Sequence, residues 1–198
     1  TIIFDVGGVI IKYNNFTDYY AGYLAKKTGI DAKEIQRRIE CKLLPLFYEA
    51  KISSREFYKG VAGAVGISER DVQWTENFAE NAKINKQTIG TIRKLKPKYK
   101  IAYFSNVDFA VYVLMRKMLA PYDSLFDYKF ASCVLRRAKP KAIAFRTVLN
   151  KIGIKPEEAV FIDNDPKNVE GARATGIKSV LFKDNKSLEY RLEKLVEL

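Results

Sequence analysis

The sequence contains no histidine, and this absence excludes several common kinds of chemistry. Hydrolysis by a Ser-His-Asp triad, proteolysis by a Cys-His pair and zinc binding through histidine all require an imidazole. Any catalysis must therefore depend on carboxylates, lysine, hydroxyl groups or a hard metal ion. Only two cysteines are present, Cys41 and Cys133, and neither lies in a paired motif. They predict no zinc site and no disulfide framework, and we expect both to be small buried apolar side chains.

Long apolar runs are missing as well. No stretch approaches the roughly 18 to 20 residues that a helix needs to cross a bilayer. The first apolar run is interrupted by Asp5, which makes it too short for a secretory signal peptide. We therefore expect a cytoplasmic protein with no membrane partner.

Positive charge is in excess, since 35 lysines and arginines against 23 acidic residues give a formal net charge of +12. Such a surface attracts anions, among which phosphates are the obvious class. Lysines alternate between residues 94 and 100, but the one aromatic residue among them, Tyr99, does not make the pattern of a single-strand nucleic-acid platform. We therefore expect a small phosphorylated metabolite as partner rather than a nucleic acid.

The first segment of the chain is its most informative one. Residues 2–4 form an apolar run that ends on Asp5 and is followed closely by Gly7 and Gly8. A strand buried on both faces of a parallel sheet has such a run, and ligands bind beyond the carboxyl ends of these strands. The glycines allow a sharp turn and a close approach of an ion or substrate to the backbone. On this segment alone, Asp5 could equally be a turn residue that binds its own loop.

Residues 14–83 contain no convincing strand, and their apolar residues recur at helical spacing. Ser53 with Glu56 predicts a helix start, and Gly29 and Gly66 predict helix ends. We therefore predict a bundle of about four helices, formed by residues 13–85 and inserted into a core formed by residues 1–12 and 86–198. The apolar positions that carry this prediction are Phe16, Tyr19, Tyr20, Tyr23, Leu24, Ile35, Ile39, Leu43, Leu46, Phe57, Val61, Val65, Val72 and Phe78.

Beyond the predicted bundle, strands and helices alternate. This order is typical of an α/β protein with a parallel sheet and helices on both faces. The predicted strands are residues 100–104, 128–134, 159–162 and 178–182, and the predicted helices are residues 109–119, 143–152 and 169–175.

Polar residues follow four of these strands, and in a parallel sheet they would meet at one edge. They are Asp5, Ser105 with Asn106, Lys139, and the acidic segment of residues 163–165. Two carboxylates such as Asp5 and Asp163 could share a Mg²⁺ ion, which prefers oxygen ligands. A carboxylate can also attack phosphorus, while a hydroxyl and an ammonium group neutralise the phosphoryl oxygens. The set therefore favours phosphate chemistry.

These four segments resemble, in order, the four motifs of the haloacid dehalogenase-like hydrolase superfamily. The matching residues are 4–9, 104–106, 139–140 and 161–169, together with Gly171 and Ala172, and the resemblance covers essentially the whole chain. It implies a Rossmann-like α/β core with a small inserted all-α cap domain, to which residues 49–53 and 74–78 are also similar. It further implies phosphatase activity with Mg²⁺ as cofactor.

The resemblance also implies a role for each motif residue. Asp5 would be the nucleophile and a metal ligand, and the Gly7 carbonyl and Asp163 would be further ligands. Ser105 and Lys139 would be catalytic residues that bind the phosphoryl group, with Gly8 and Asn106 contacting the substrate. Asn164 stands where many relatives have a second Asp, so it would contact the metal through water, and Asp165 could supply the missing charge.

Gly7 departs from the family pattern, because most phosphatases of the family have an acid two residues beyond the nucleophile. That acid protonates the leaving alcohol and then activates water, and its loss typically costs ~10²–10⁴-fold in rate. The chain could act on esters with better leaving groups, such as a sugar 1-phosphate, or could borrow an acid such as Asp108 or one from the cap. Two other functions stay open, namely a metal-free 2-haloacid dehalogenase, which Asp163 disfavours, and a non-catalytic phosphate-binding module.

Overall fold

The computed structural model describes residues 1–13, 16–72 and 74–195, and for residues 16–19 and 77 it describes the backbone only. A parallel five-stranded sheet forms its centre, in the order β5-β4-β1-β6-β7. These strands are β1 (Ile2–Phe4), β4 (Ile101–Ser105), β5 (Tyr128–Ala131), β6 (Val160–Asp163) and β7 (Lys178–Leu181), and a separate antiparallel pair is formed by β2 (Ile11–Lys12) and β3 (Lys83–Ile84). The predicted parallel sheet is therefore confirmed.

Strand β1 is buried between β4 and β6, which explains its uninterrupted apolar sequence. Its side chains alternate between the two faces of the sheet, since Ile2 and Phe4 join one apolar cluster while Ile3 joins the other. Residues of β4 and β6 alternate in the same register. The sheet thus carries an apolar layer on each face.

Helices cover both faces, as an α/β fold requires. On the Ile3 face lie α8 (Ala142–Ile152) and α9 (Pro166–Arg173). The opposite face packs against α5 (Lys86–Leu95), α6 (Phe109–Leu119) and α10 (Asn185–Glu193). Three short 3₁₀ segments at Glu69–Asp71, Ala120–Leu125 and Pro156–Glu158 complete the connections.

The inserted helices are α1 (Phe16–Thr28), α2 (Ala32–Tyr48), α3 (Ser54–Val65) and α4 (Trp74–Asn81). Helix α3 begins at a capping box, in which Ser53 and Glu56 bond each other's backbone N–H groups, and ends at Gly66 in the left-handed conformation. The predicted helix start at Ser53 and the predicted helix ends at Gly29 and Gly66 are confirmed. The positions Leu24, Ile39 and Phe57 are buried as expected. The side chains of Phe16 and Tyr19 lie outside the described residues.

Some predictions inside and beside the insertion are wrong. Lys83 belongs to strand β3 rather than to a strand-free region. Leu46 is 39% exposed, and Leu44 and Phe47 are buried in its place. Pro45 lies inside α2 and cannot donate the helical hydrogen bond, so the buried stripe is displaced at this point.

The third strand of the predicted sheet is also shorter than expected. We predicted a strand over residues 128–134, but β5 ends at Ala131 and α7 (Ser132–Leu135) follows. Ala131 pairs with Ser105, the last residue of β4, so no partner strand continues beyond it. The Ser132 hydroxyl instead accepts from the Val107 N–H at 2.9 Å. Backbone pairing therefore overrides the local strand preference of Cys133 and Val134.

Of the two cysteines, Cys133 is buried as predicted, whereas Cys41 is exposed on α2, contrary to our expectation. Both are free thiols. Among the described residues no helix combines the length and apolar character that a membrane span needs.

Candidate active site

The four predicted segments meet at the carboxyl edge of the parallel sheet. Asp5 directly follows β1, Ser105 ends β4 and Asp163 ends β6. Lys139 lies in the loop between α7 and α8. All four side chains are buried, at 7%, 5%, 1% and 4% of their residue surface for Asp5, Ser105, Asp163 and Lys139. The parallel topology therefore brings together residues that are up to 158 positions apart, because 163 − 5 = 158.

The Lys139 ammonium group lies between two carboxylates. Its Nζ donates to Asp5 Oδ1 at 2.6 Å and to Asp163 Oδ2 at 2.7 Å. Phe104 of β4 and Phe161 of β6 flank the ammonium group, and the centroid of each ring lies 5.3 Å from Nζ. The side chain is thus fixed as a buried point charge between the two carboxylates.

This environment shifts the pKa values of the group. Burial, together with the nearby charge of Asp163, raises the pKa of Asp5 from 3.8 to about 7, although Lys139 opposes the shift. Burial alone would lower the pKa of Lys139, but the two carboxylates raise it above its ordinary value. Lys139 therefore stays charged, while Asp5 is poised between its charged and neutral forms near neutral pH.

A second layer of hydrogen bonds holds this cluster in place. Asn106 Nδ2 donates to the Lys139 carbonyl at 2.8 Å, and the Lys139 N–H donates to Asn106 Oδ1 at 2.9 Å. On the other side, Asn168 Nδ2 donates to Asp163 Oδ2 at 3.1 Å. Asn106, which we predicted to contact substrate, thus holds the Lys139 backbone in this structure. Asn168, which belongs to the fourth motif, holds the Asp163 carboxylate in the same way.

Two other carboxylates serve as helix caps. Asp165 Oδ1 accepts from the Lys167 N–H at 2.8 Å and begins α9. Asp108 accepts from two N–H groups at the start of α6 and from the Trp74 indole at 3.0 Å. Both carboxylates thus have a structural role at a helix start, and the suggestions that Asp165 supplies a missing metal-site charge and that Asp108 replaces a missing acid stay predictions.

The glycines after Asp5 differ from each other. Gly8 has a φ of 81°, and a Cβ added there would lie 2.6 Å from Asn164 Nδ2. Its N–H donates to the Ile11 carbonyl at 2.8 Å and so closes the turn rather than facing a ligand. Gly7 lines the cavity above Asp5, as does Asn164. The turn thus needs glycine at position 8 for its conformation.

A cavity of about 330 Å³ opens above the cluster. Its floor contains Asp5, Ser105, Lys139 and Asp163, and one wall is formed by α2. The α2 residues are Glu40, Leu44, Pro45 and Tyr48, and Tyr13 also faces the cavity. Sequence analysis missed both tyrosines, because Tyr13 lies in the segment after β2 and Tyr48 is the last residue of α2, and no local pattern points either of them to the cavity. The volume suits a small molecule with polar and apolar parts.

The donor set at the floor of the cavity fits Mg²⁺. Among the described residues no group of three or more His, Cys, Asp or Glu side chains is placed to hold a metal. Magnesium commonly binds through one or two carboxylates and keeps several waters, so Asp5 and Asp163 with a backbone carbonyl suffice. Zinc, which favours nitrogen and sulfur ligands, would find none here.

A family model described as haloacid dehalogenase-like hydrolase matches residues 1–176. The chain belongs to this family of hydrolases. The resemblance that the four motifs carried and the prediction of a hydrolase are therefore confirmed.

Individual relatives match over nearly the whole chain. The sesquiterpene phosphatase astK of Aspergillus oryzae is 24% identical over 196 residues, which cover 98% of this chain and 95% of that protein. A protein described as a predicted HAD-like family hydrolase from Porphyromonas gingivalis has a TM-score of 0.78 and 26% identity, over 100% of this chain and 97% of its own. A HAD family enzyme from Bacteroides thetaiotaomicron, in complex with magnesium and inorganic phosphate, has a TM-score of 0.72 and 21% identity, over 92% and 93%.

Proposed function

We propose that the chain is a Mg²⁺-dependent phosphomonoesterase in which Asp5 is the nucleophile. The observation that carries this proposal is the buried Lys139 ammonium, held between Asp5 and Asp163 at the floor of the cavity. Two carboxylates alone would repel a phosphate, whereas the lysine offsets part of their charge. The relatives described as a phosphatase and as a magnesium and phosphate complex support the same chemistry.

The reaction follows from this arrangement in two steps. A carboxylate oxygen of Asp5 bonds to phosphorus while the bond from phosphorus to the alcohol oxygen breaks, which leaves an aspartyl-phosphate. Water then attacks the phosphorus, one of its protons passes to the departed alkoxide, and inorganic phosphate is released as the Asp5 carboxylate is restored. Ser105 and Lys139 bind the non-bridging oxygens throughout, since both line the floor of the cavity.

Asp5, Asp163 and the Gly7 carbonyl would hold the metal, with Asn164 beside them. When bound, Mg²⁺ would neutralise the phosphoryl oxygens and help to orient them. Asn106 keeps Lys139 in place, and Asn168 keeps Asp163 in place. These contacts pre-organise the site before substrate arrives.

The substrate is expected to be a small phosphorylated metabolite chosen by the insertion. We infer that residues 13–85 act as the cap, because α2 supplies the cavity wall that faces Asp5. Leu44, Pro45 and Tyr48 offer apolar contacts, while Glu40 and Lys141 offer polar ones. A sugar phosphate and a phosphate ester of an apolar alcohol are therefore both worth testing.

The direct test measures phosphate release from a panel of esters with Mg²⁺ or with EDTA. The panel contains p-nitrophenyl phosphate, glucose 1-phosphate, glycerol phosphate and farnesyl phosphate. We expect Mg²⁺-dependent release from at least one ester and none above background from Asp5→Asn. The matched control is Asp184→Asn, which alters a carboxylate that caps α10 away from the cavity and should retain activity.

Two outcomes would replace this proposal. Chloride release from 2-chloropropionate in EDTA, without phosphate release from any ester, would identify a dehalogenase. Saturable binding of inorganic phosphate that needs Lys139, with no turnover of the panel, would identify a non-catalytic binding module.

A further inference from the structure

The space beside Gly7 is filled by the side chain of Tyr13. A Cβ added to Gly7 would lie 2.8 Å from Tyr13 Cζ and closer still to the hydroxyl oxygen, a separation that real Cβ atoms essentially never show. Gly7 does not have a positive φ, so its backbone would accept another residue. The tyrosine ring, rather than the backbone conformation, is therefore what excludes a side chain at position 7.

This space adjoins the nucleophile. Residues 5 and 7 are two positions apart at the end of a strand, and both line the cavity together with Tyr13. Burial, with smaller contributions from the charges of Asp5 and Asp163, raises the pKa of Tyr13 well above its ordinary value. The hydroxyl thus keeps its proton while it lies close to the carboxylates.

Packing from the insertion fixes the tyrosine. Its ring meets Phe78 of α4 edge to face, with centroids 5.6 Å apart and planes at 70°. Tyr13 directly follows β2, whose pairing with β3 anchors the chain at that point. The ring is therefore held by Phe78 on the helix side, and its backbone is held by β2 on the strand side.

We propose that the Tyr13 hydroxyl donates a hydrogen bond to the leaving-group oxygen of the ester, from the space that a side chain at residue 7 would otherwise occupy. This proposal rests on the phosphatase function proposed above. It assigns Tyr13 as a catalytic residue that stabilises the departing alkoxide.

The step balances without ionisation of the tyrosine. As the Asp5 oxygen bonds to phosphorus, the bond from phosphorus to the alcohol oxygen breaks, and the departing oxygen accepts the Tyr13 hydrogen bond. A water in the cavity gives its proton to this oxygen and releases the alcohol. The hydroxide that remains attacks the aspartyl-phosphate, and the products are phosphate and the restored carboxylate.

The test compares leaving groups in Tyr13→Phe, because a donor to the leaving oxygen matters most where that oxygen is most basic. For an alkyl phosphate such as glycerol phosphate or farnesyl phosphate, we expect kcat/KM to fall by ~10- to 100-fold. For p-nitrophenyl phosphate, whose leaving group needs no proton, we expect a change of less than about threefold. Tyr58→Phe is the matched control, because its hydroxyl contacts Thr75 at 3.0 Å and lines no part of the cavity. It should change neither value.

A second pair of variants covers the case in which Tyr13→Phe fails to fold. Tyr13→Ala empties the space, and the double variant Gly7→Asp/Tyr13→Ala refills it with a carboxyl group. We expect the double variant to recover alkyl phosphate hydrolysis at least tenfold over Tyr13→Ala. Recovery would support the assignment of this space to the leaving group.

The outcomes separate this proposal from the proposed function. A wild-type protein that hydrolyses the esters, with a Tyr13→Phe variant that loses nothing or loses all substrates equally, would overturn the Tyr13 role alone. A wild-type protein that releases no phosphate from any ester would overturn the phosphatase and the Tyr13 role together.

Discussion

Two ion clusters lie only two residues apart along the chain, at Lys139 and Lys141, and they have opposite compositions. In the first, the Lys139 ammonium lies between the carboxylates of Asp5 and Asp163. In the second, one buried carboxylate, Glu49, lies 2.6 Å from Lys141 Nζ and 2.8 Å from Lys51 Nζ. The excess of acid in one cluster and of base in the other gives the two clusters different uses.

Their pKa values show the contrast. The pKa of Asp5 is raised to about 7, whereas that of Glu49 is lowered to about 2, because hydrogen bonds from Lys141 and Lys51 outweigh its burial. Ionisation of Asp5 therefore lowers the free energy of unfolding, whereas ionisation of Glu49 raises it. Glu49 also accepts from the Ala138 N–H at 3.2 Å, so it fastens the end of α2 to the loop that carries Lys139. The Glu49 cluster therefore stabilises the loop that carries Lys139 of the first cluster.

Replacing the two lysines should give the largest difference between the clusters. Lys139→Met leaves two buried carboxylates without their cation, so we expect the free energy of unfolding to fall by about 3–5 kcal/mol. Phosphate release should fall below detection in the same variant. Urea unfolding at pH 7 and the ester panel measure these two effects.

The matched variant is Lys141→Met, which removes a half-exposed lysine and leaves Lys51 on Glu49. We expect it to cost less than about 1 kcal/mol. Equal losses in Lys139→Met and Lys141→Met would show that the two clusters do not differ as described.

Glu49→Gln tests the stabilising cluster directly. We expect a loss of about 2–3 kcal/mol at pH 7, because the folded carboxyl has a pKa of about 2 against an ordinary value of 4.5. A lowered pKa gives stability that is fully present above about pH 4.5 and is lost as the pH falls toward 2. The difference from wild type in urea unfolding should therefore shrink over that range, and a constant difference would contradict the ionic explanation.

Asp5→Asn should have a smaller effect of opposite sign. Without Mg²⁺ at pH 8, we expect it to raise the free energy of unfolding by about 1–2 kcal/mol, because it removes a buried charge. A raised pKa means that this gain is largest above pH 7 and shrinks as the pH falls toward 3.8. Urea unfolding in EDTA at pH 8 and at pH 5 measures this gain. A lower free energy of unfolding at pH 8 would contradict the statement that ionised Asp5 destabilises the fold.

Lys51→Met should have the smallest effect. The Lys51 side chain is 51% exposed, so its ion pair with Glu49 is screened by water. We expect the free energy of unfolding to fall by less than about 0.5 kcal/mol. This loss should disappear at a salt concentration of about 0.5 M, because the screening length is then on the order of a few ångströms. Thermal unfolding with and without salt checks this value. A loss as large as that of Glu49→Gln would show that Lys51, and not Lys141, provides most of the stabilisation by this cluster.

The sequence predicted the part of the site that strand ends determine. Asp5, Ser105 and Asp163 each follow an apolar run, and parallel pairing places such residues together. The sheet, helix α6 and the capping box of α3 followed from equally local signals. These features depend on short segments whose periodicity or end residues can be recognised without knowledge of the fold.

Long-range contacts were not predictable in the same way. No local pattern indicates that Tyr13 fills the space beside Gly7, or that Glu49 binds a loop 89 residues further along. The early end of β5 depends on where its neighbour β4 stops. The displaced stripe of α2 depends on a proline that also lines the cavity. Each of these depends on three-dimensional packing.

The pairing of β2 with β3 has a consequence for how this protein can change over time. Ile11 faces Ile84 and Lys12 faces Lys83, and the Asn85 N–H and amide bond the carbonyls of Ile10 and Val9. The segment between β2 and β3 thus leaves the core and returns to it at one pair of hydrogen-bonded strands. Because a closed entry point costs little more for a longer loop than for a shorter one, evolution can lengthen, shorten or exchange what lies between without disturbing the strand that presents Asp5.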